Sequence, residues 1–321
     1  MSTATPLAYL SAAGPRAGAI VPLTWFTLLV SILVCLIIGV LLWRGVRRGQ
    51  AHASDVETRA VQITHGAPGI RWIRVGLLCS ALPLLIALVW TMATLAAVSG
   101  PPQGAQLVLD VTGHQWWWEV TYSGAEPSQT FSTANEIHVP TRARVLVRLH
   151  GADVIHSFWV PKLTGKTDTI PGQTNLAWFE ATAAGRYRGQ CTEYCGAQHA
   201  HMGLEVVAES PGDFEHWRQL QLHPANEPTS AAQSRGRELV EFRCGLCHQV
   251  RGTSAGARSA PDLTHVAGRR TLAAGLLPNN PGTLSGWIEN PQGFKPGTLM
   301  PNQGLTGQQL SDVVAYLETL R

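Results

Sequence analysis

The sequence is poor in charge and in methionine. Only 14% of its 321 residues are charged, and only four are methionine. No run or stripe of basic residues stands out, so nucleic acid is not an expected partner. Charge is missing altogether from residues 22–43 and 75–98, although 45% of the chain is hydrophobic. This composition predicts a folded protein of more than one domain with a membrane part.

The two uncharged runs predict a pair of membrane-spanning helices. Each has at least 22 residues, enough to cross a hydrocarbon core of about 30 Å. Six arginines and two acids lie between the runs, whereas the N-terminal tail holds only Arg16, so the loop is expected in the cytoplasm. A cleavable signal peptide is the competing interpretation of the first run, but this run is too long and lacks a basic n-region. Residues 1–100 are therefore expected to form a tail and a transmembrane hairpin.

Residues 101–222 change to short segments of alternating polarity. Breaks with Gly, Pro or Asn separate most of these segments, which indicates a β-sandwich or barrel. The stretch "PGDFEHWRQLQ" follows as one amphipathic helix, with Phe214 and Trp217 expected to pack back on the β frame. The predicted strands are "QLVLDVTG", "EIHVP", "ARVLVRLH", "DVIHSFWVP", "TNLAWFEAT", "GRYRGQ" and "LEVVAE".

The stretch "CTEYCGAQHAHM", residues 191–202, concentrates metal-binding side chains. A disulfide between Cys191 and Cys195 is one interpretation, but it leaves His199 and Met202 unexplained. Thiolate, imidazole and thioether together are the ligand set of copper. Two cysteines on one loop offer two bridging thiolates, so the loop could hold two copper ions if a second histidine came from elsewhere.

His156 is the best candidate for that second histidine. It is expected to end a strand, and the apolar residues that follow it could bury its ring. On the loop itself, the Cys-x3-Cys-x3-His-x2-Met spacing favours His199 over His201. Glu193, between the two cysteines, has no evident partner in the chain and would be costly to bury alone. Its carbonyl could bind copper while its side chain meets a cation.

Residues 20–220 resemble cytochrome c oxidase subunit II. The resemblance rests on "HQWWWEV", "DVIHSFWVPKL", "KTDTIPGQTN" and "GQCTEYCGAQHAHM". It implies an all-β cupredoxin-like domain with a binuclear copper centre, CuA, and a magnesium ion shared with subunit I through the Glu193 carboxylate. The implied copper ligands are Cys191 and Cys195 as bridges, His156 and His199 as terminal ligands, and Met202 and the Glu193 carbonyl as weak axial ligands.

The same resemblance implies further roles and shows one departure. Trp116 matches the aromatic position at which electrons enter from cytochrome c, a role that suits an exposed side chain, although one or two of Trp116, Trp117 and Trp118 are expected in the core. Lys166 and Asp168 match a polar stretch near subunit I. Many relatives carry a glutamate for proton entry in the second span, but Gly76 stands there in this chain. Glu57 is only a weak substitute for that role.

"CGLCH", residues 244–248, is the attachment signature of c-type heme. The thiols of Cys244 and Cys247 add to the heme vinyl groups and His248 binds the iron. A redox or zinc dithiol is disfavoured by the adjacent histidine and by the lack of a second Cys or Cys/His pair. Met300 is the only methionine in this part of the chain and is the expected sixth ligand, with His265 as its rival.

Residues 233–321 resemble a class I cytochrome c, an all-α domain, in "APDLTHVAGRRT", "LSGWIENPQGFKPGTLMPN" and "LSDVVAYLETL". This resemblance implies that the Pro261 carbonyl orients His248, that Arg269 neutralises a heme propionate and that Trp287 packs near Met300. Helices beginning near Gln233 and Gly307 are expected to cross with Tyr316 in their contact. The proline-containing residues 223–232 are expected to form a short, mobile linker.

Together the resemblances imply subunit II of a bacterial terminal oxidase fused to a cytochrome c. Electrons from a cytochrome bc complex or a soluble cytochrome c would reach the covalent heme, then CuA, then subunit I, which reduces oxygen to water with proton pumping. Subunits I and III are the expected partners, and both soluble domains would lie on the periplasmic side of the inner membrane. The alternatives are a copper-delivery protein and a nitrous-oxide reductase-like enzyme, for whose large propeller domain the chain has no room.

Overall fold

The computed structural model describes residues 7–51, 68–100 and 104–321. The chain divides into two compact units. One unit is Gly18–Gly100, and the other comprises the residues that precede and follow it.

Two long apolar helices form most of the first unit. Helix α1 spans Pro15–Ala51 and α2 spans Pro68–Ser99. Both are long and apolar enough to cross a membrane, with mean hydropathies of 2.9 and 2.2 in their most apolar windows. They contain the two predicted spans, and the rings of Phe26 and Trp90 meet with centroids 5.5 Å apart. The loop candidate Glu57 lies outside the described residues.

The β domain is built from ten strands in three sheets, in agreement with the predicted cupredoxin-like fold. The largest sheet has the order β3-β2-β1-β5-β8, a second has the order β4-β10-β9, and β6 pairs with β7. Alternate residues of β1 and β5 are buried because their side chains point in turn into the core and outward. The strands are β1 Leu107–His114, β2 Trp117–Tyr122, β3 Phe131–Ala134, β4 Glu136–Pro140, β5 Val145–Gly151, β6 His156–Phe158, β7 Thr167–Thr169, β8 Asn175–Phe179, β9 Gly185–Gln190 and β10 Gly203–Glu209.

Two flanking segments pack on this β frame. The amide of Ala13 donates to the Lys162 carbonyl at 2.7 Å, so the residues before the apolar helices join the domain edge. Helix α3, Pro211–Leu222, begins after Ser210, whose hydroxyl accepts from the Asp213 amide. Its Trp217 ring packs against Tyr122 with centroids 5.3 Å apart, as predicted.

The C-terminal domain is helical with one small hairpin. Helices α4 and α7 cross where Gly236 faces the Asp312 carbonyl, and Tyr316 is fully buried in that contact, which confirms the predicted crossing. Its elements are α4 Ala231–Leu239, β11 Thr271–Leu272, β12 Leu277–Pro278, α5 Pro281–Glu289, α6 Pro291–Phe294 and α7 Gly307–Leu317.

The segment expected to be a mobile linker is instead bonded to the C-terminal domain. The Ala225 amide donates to the Arg251 carbonyl at 2.8 Å, and the Asn226 side chain donates to the Thr319 carbonyl at 2.7 Å. The prolines of this stretch indicated a mobile linker, but Ala225, Asn226 and Glu227 bond to the domain that follows.

Candidate functional site

The loop between β9 and β10 gathers sulfur ligands. The Cys195 sulfur lies 3.8 Å from the Cys191 sulfur, 3.6 Å from Nδ1 of His199 and 3.9 Å from Sδ of Met202. Cys191 lies 3.3 Å from the Glu193 carbonyl oxygen, and its amide donates to the Met202 carbonyl, which closes the loop. Both cysteines are free, so the disulfide interpretation is wrong. His201, the other loop histidine, is exposed.

His156 joins this cluster from a separate strand. It begins the short strand β6 and does not end a strand, contrary to the prediction. One of its ring nitrogens lies within 4.8 Å of both cysteine sulfurs. Its Nε2 lies 2.8 Å from a carboxylate oxygen of Asp153, whereas its buried Nδ1 has no hydrogen-bond partner in the described part of the chain. The ring packs edge-on against Trp118, with centroids 6.0 Å apart.

The electrostatics of the two cysteines favour a thiolate. Hydrogen bonding from the Cys195 thiol lowers the pKa of Cys191, and the same bond raises the pKa of Cys195. The pair therefore loses its first proton easily, which leaves one thiolate and one thiol. A thiolate, a second thiol, a thioether and an unpartnered buried imidazole nitrogen form a soft donor set that fits copper.

Glu193 has a partner within the chain, contrary to the expectation. Its carboxylate lies 3.8 Å from the Lys166 ammonium, which is also 3.8 Å from Asp168. The Glu193 side chain is 43% exposed, so it avoids the cost of burying a lone charge. Glu193, Lys166 and Asp168 therefore lie together on one surface. The resemblance assigns all three to the side of the domain that faces subunit I.

Trp116 is buried, so it is one of the tryptophans of the run that lie in the core and not an exposed contact residue. Only 7% of the residue is accessible. Its indole Nε1 donates to the Cys195 carbonyl at 2.9 Å, and Nε2 of Gln115 donates to the same oxygen at 2.7 Å. Of its neighbours, Trp118 is fully buried in the core and Trp117 stacks on His114. Trp116 therefore contacts the backbone of the sulfur loop directly.

The heme-attachment motif follows α4 in a tight turn. The His248 amide donates to the Cys244 carbonyl at 2.8 Å, which places the histidine one turn beyond the first cysteine. Its Nδ1 lies 2.7 Å from the Pro261 carbonyl oxygen, so Nδ1 is the donor and Nε2 carries the lone pair. Burial lowers the pKa of His248 and keeps the ring neutral, the form that binds iron.

The two candidates for the sixth iron ligand differ in their contacts. Met300 is half-buried and packs against the core of the domain, and its carbonyl accepts from Nε2 of Gln292. Both ring nitrogens of His265 meet carbonyl oxygens, those of Arg321 at 2.8 Å and His223 at 3.1 Å. His265 therefore has no ring nitrogen left for iron.

Two further residues named by the resemblance lie in the same domain. The guanidinium of Arg269 donates to the Asp262 carbonyl, and burial lowers its pKa. Its Nε is buried without a hydrogen-bond partner among the described residues, so it could donate to an anionic group such as a heme propionate. Trp287 lies half-buried in α5.

Sequence reasoning missed three residues that shape these sites: Asp153, Gln198 and Lys295. Asp153 could have been found, because an acid three residues before a candidate ligand histidine can bind its second nitrogen. Gln198 and Lys295 act across the two soluble domains, and nothing in the local sequence of either residue indicates such a contact.

Comparison with known proteins matches both soluble domains. Residues 127–210 match a family model described as cytochrome c oxidase subunit II, periplasmic domain, and residues 233–321 match one described as cytochrome c. Cytochrome c oxidase subunit 2 of Alkalihalophilus pseudofirmus is 37% identical over 215 residues, which cover 66% of this chain and 61% of that protein. The same subunit of Bacillus subtilis is 31% identical over 227 residues, which cover 67% and 62%.

A solved structure is also similar. It is the periplasmic domain of subunit II of cytochrome oxidase from Bradyrhizobium japonicum, 32% identical, covering 38% of this chain and 96% of that chain with a TM-score of 0.36. The chain spans about three fifths of the length of the two curated relatives. The two family models match consecutive parts of the sequence. The β domain therefore belongs to the cytochrome c oxidase subunit II family, and a cytochrome c domain follows it.

Proposed function

We propose that the chain is the electron-transfer subunit II of a heme-copper terminal oxidase. Electrons from a cytochrome bc complex or a soluble cytochrome c enter the cytochrome c domain, cross to the β domain and leave for subunit I. Subunit I reduces oxygen to water with proton pumping, and subunit III completes the complex. The two apolar helices hold the chain in the bacterial inner membrane, with both soluble domains on the periplasmic side. The family membership supports this proposal.

The observation that carries it is the convergence of six donors in the β domain. Two sulfurs 3.8 Å apart, a thioether and two imidazoles suit a pair of copper ions better than one zinc ion, which would be held by four ligands. When bound, the copper ions would supply one-electron redox chemistry. The proposed ligands are Cys191, Cys195, His156, His199, Met202 and the Glu193 carbonyl.

Neighbouring residues orient the proposed copper ligands and hold them in place. Asp153 fixes the His156 ring by holding Nε2, which leaves Nδ1 as the metal-binding nitrogen. The closed loop and the burial of both cysteines keep the sulfur donors in place. Trp116, bonded to the Cys195 carbonyl, is the proposed entry point of electrons to this cluster. The Glu193 side chain, beside Lys166 and Asp168, would bind the magnesium ion shared with subunit I.

The cytochrome c domain would hold a covalent heme. Cys244 and Cys247 would form the thioether bonds, and the Pro261 carbonyl would orient His248 to bind the iron. Met300 would supply the second iron ligand, the buried Arg269 would donate to a propionate, and Trp287 would pack near Met300. When bound, the heme would supply a one-electron carrier.

The two loop histidines provide a matched test. His199→Ala removes a donor 3.6 Å from the Cys195 sulfur, whereas His201→Ala changes an exposed ring whose Nδ1 contacts Gln198. We expect wild type and His201→Ala to show a seven-line copper EPR signal from two ions sharing one unpaired electron. We expect His199→Ala to lose it.

The heme proposal is tested on the same preparations. The reduced chain should show a low-spin c-type optical band, and the heme should stay on the polypeptide after denaturation, because it is covalently attached. A mononuclear copper signal in the wild-type chain would contradict the binuclear site and favour a copper-delivery protein. The lack of a c-type band in a chain matured with heme would contradict the second site.

A further inference from the structure

Lys295 is a buried cation between the two soluble domains. Only three of the 24 basic residues are lysines, and Lys295 is the one in the cytochrome c domain. It is 3% exposed. In the part of the chain that the structure describes, its ammonium contacts two backbone carbonyl oxygens and no carboxylate. Burying an ammonium without a carboxylate costs free energy, so its hydrogen bonds must offset that cost.

Those two bonds join the domains. The Lys295 ammonium donates to the Trp116 carbonyl of the β domain at 2.7 Å and to the Ala273 carbonyl of its own domain at 3.2 Å. Burial lowers the pKa of Lys295 to about 7, and both the charged and the neutral amine have enough N–H groups for two carbonyls. The side chain therefore ties the turn between β11 and β12 to the residue beside the sulfur loop.

The neighbouring contacts hold the same surfaces together. Nε2 of Gln198 donates to the Pro296 carbonyl at 2.8 Å, and the Gly203 amide donates to the Ala274 carbonyl at 3.0 Å. Gly297 has a φ of +86° and faces the Trp116 ring, because a Cβ added to it would lie 3.5 Å from that ring. Residues 295–297 of the cytochrome c domain thus cover Trp116, which explains its burial.

A series of hydrogen bonds connects the segment that carries Met300 with the sulfur loop. Lys295 lies five residues before Met300, and it bonds to the Trp116 carbonyl. The Trp116 indole in turn bonds to the Cys195 carbonyl. We propose that Lys295 is a positioning residue that fixes the Met300 loop over Trp116, so that electrons pass between the domains through this contact. A separate donor protein cannot reach Trp116 while the contact holds and must deliver electrons to the cytochrome c domain.

This inference rests on the proposed function and is tested by intramolecular electron transfer. The full chain, loaded with copper and heme, is reduced at the heme by a photoexcited flavin. The heme then loses one electron to the copper pair, and its absorbance reports the rate. Lys295→Met keeps the length of the side chain but leaves two carbonyl oxygens unpaired. We expect it to slow the transfer about tenfold, because the unpaired carbonyls weaken the contact between the domains.

Lys162→Met is the matched control, because the Lys162 ammonium lies on the β domain, 6.0 Å from the Tyr187 ring centroid. It should transfer electrons at the wild-type rate. All three proteins should keep the heme spectrum and the copper EPR signal, which separates positioning from loss of either site, and their rates are compared after both redox potentials have been measured. A Lys295→Met rate within about twofold of wild type would overturn the inference. No heme-to-copper transfer in the wild-type chain would instead overturn the proposed function.

Acetylation of the wild-type chain gives a second test that needs no variant. The chain is labelled with an amine-reactive ester, and mass spectrometry measures the labelling of all three lysines in one sample. Lys166, with a 57% exposed side chain, should react readily, and Lys295 should be protected. Cutting the chain between residues 210 and 230 should leave Lys295 protected, because the contact between the domains covers it and the connecting segment does not. Labelling of Lys295 at the rate of Lys166 in the intact chain would show that the contact does not hold.

Discussion

At the residue scale, the sulfur loop depends on one carboxylate that binds no metal in the proposed site. Asp153 accepts from the amides of Gln115 and Val154, both at 2.6 Å, and holds Nε2 of His156. Burial is the largest single effect and raises the pKa of Asp153. The bonds from the histidine and the two amides together outweigh it, so the pKa is lowered. An ionised Asp153 therefore orients the histidine and increases the basicity of its other nitrogen.

Asp153→Asn should weaken copper binding. The amide keeps the shape but loses the charge, so we expect the affinity for copper to fall by about 10- to 100-fold. Competition with a copper chelator measures this. Asp110→Asn is the control, since Asp110 also accepts from a histidine, His150, but lies on β1 beside Arg148. Equal affinities for the two variants would contradict the role given to Asp153.

Met202→Leu should keep the copper and change its potential. Met202 is fully buried with its sulfur 3.9 Å from Cys195, and leucine has a similar volume, so the loop should fold. Loss of a sulfur donor disfavours the more positive oxidised centre, so the potential should rise. A tenfold change in that preference corresponds to about 59 mV in a one-electron titration. Loss of copper from the variant would mean that Met202 is a principal ligand and not a weak one.

At the scale of elements, the cytochrome c domain depends on the crossing of α4 and α7. The helices approach so closely that a Cβ on Gly236 would lie 2.0 Å from the Asp312 carbonyl oxygen. The Arg235 guanidinium makes two bonds to the Asp312 carboxylate across the same contact, at 2.8 and 2.9 Å. Backbone packed against backbone leaves no flexible atom to move aside.

Gly236→Ala should therefore destabilise this domain by about 3 kcal/mol, the upper part of the range for overpacking. Gly307→Ala is the control, since nothing lies within 4 Å of a Cβ at that position of α7. That control should be neutral or stabilising by about 0.4–1 kcal/mol. Denaturant unfolding followed by the heme absorbance measures both. Equal midpoints for the two variants would show that the helices separate easily.

At the scale of the whole molecule, the cytochrome c domain and the β domain form one compact unit. The segment that joins them is bonded to the C-terminal domain through Ala225 and Asn226, and Lys295 bonds across to Trp116. A mobile tether would raise the local concentration of the cytochrome domain, but a docked one also fixes its orientation. The proposed transfer between the domains thus occurs within a preformed contact.

The sequence by itself determined the features that are local in the chain. Uncharged runs predicted both apolar helices, alternating polarity predicted most strands, and the spacing of Cys191, Cys195, His199 and Met202 placed these four side chains on one loop. The "CGLCH" motif likewise fixed the order of the heme-attachment residues. Such patterns are readable because neighbouring residues share one element, whose period and turns fix where their side chains lie.

Only the tertiary structure decided the features that join distant segments. It brought Asp153 and His156 to the sulfur loop, set Lys166 beside Glu193, bonded the expected linker to its domain and covered Trp116 with residues 295–297. The last example is the clearest, because the sequence left open whether Trp116 lies at an exposed contact patch or in a core. Its burial depends on a surface nearly 180 residues later in the chain, and one sequence holds no signal for a pairing set by the docking of two folded domains.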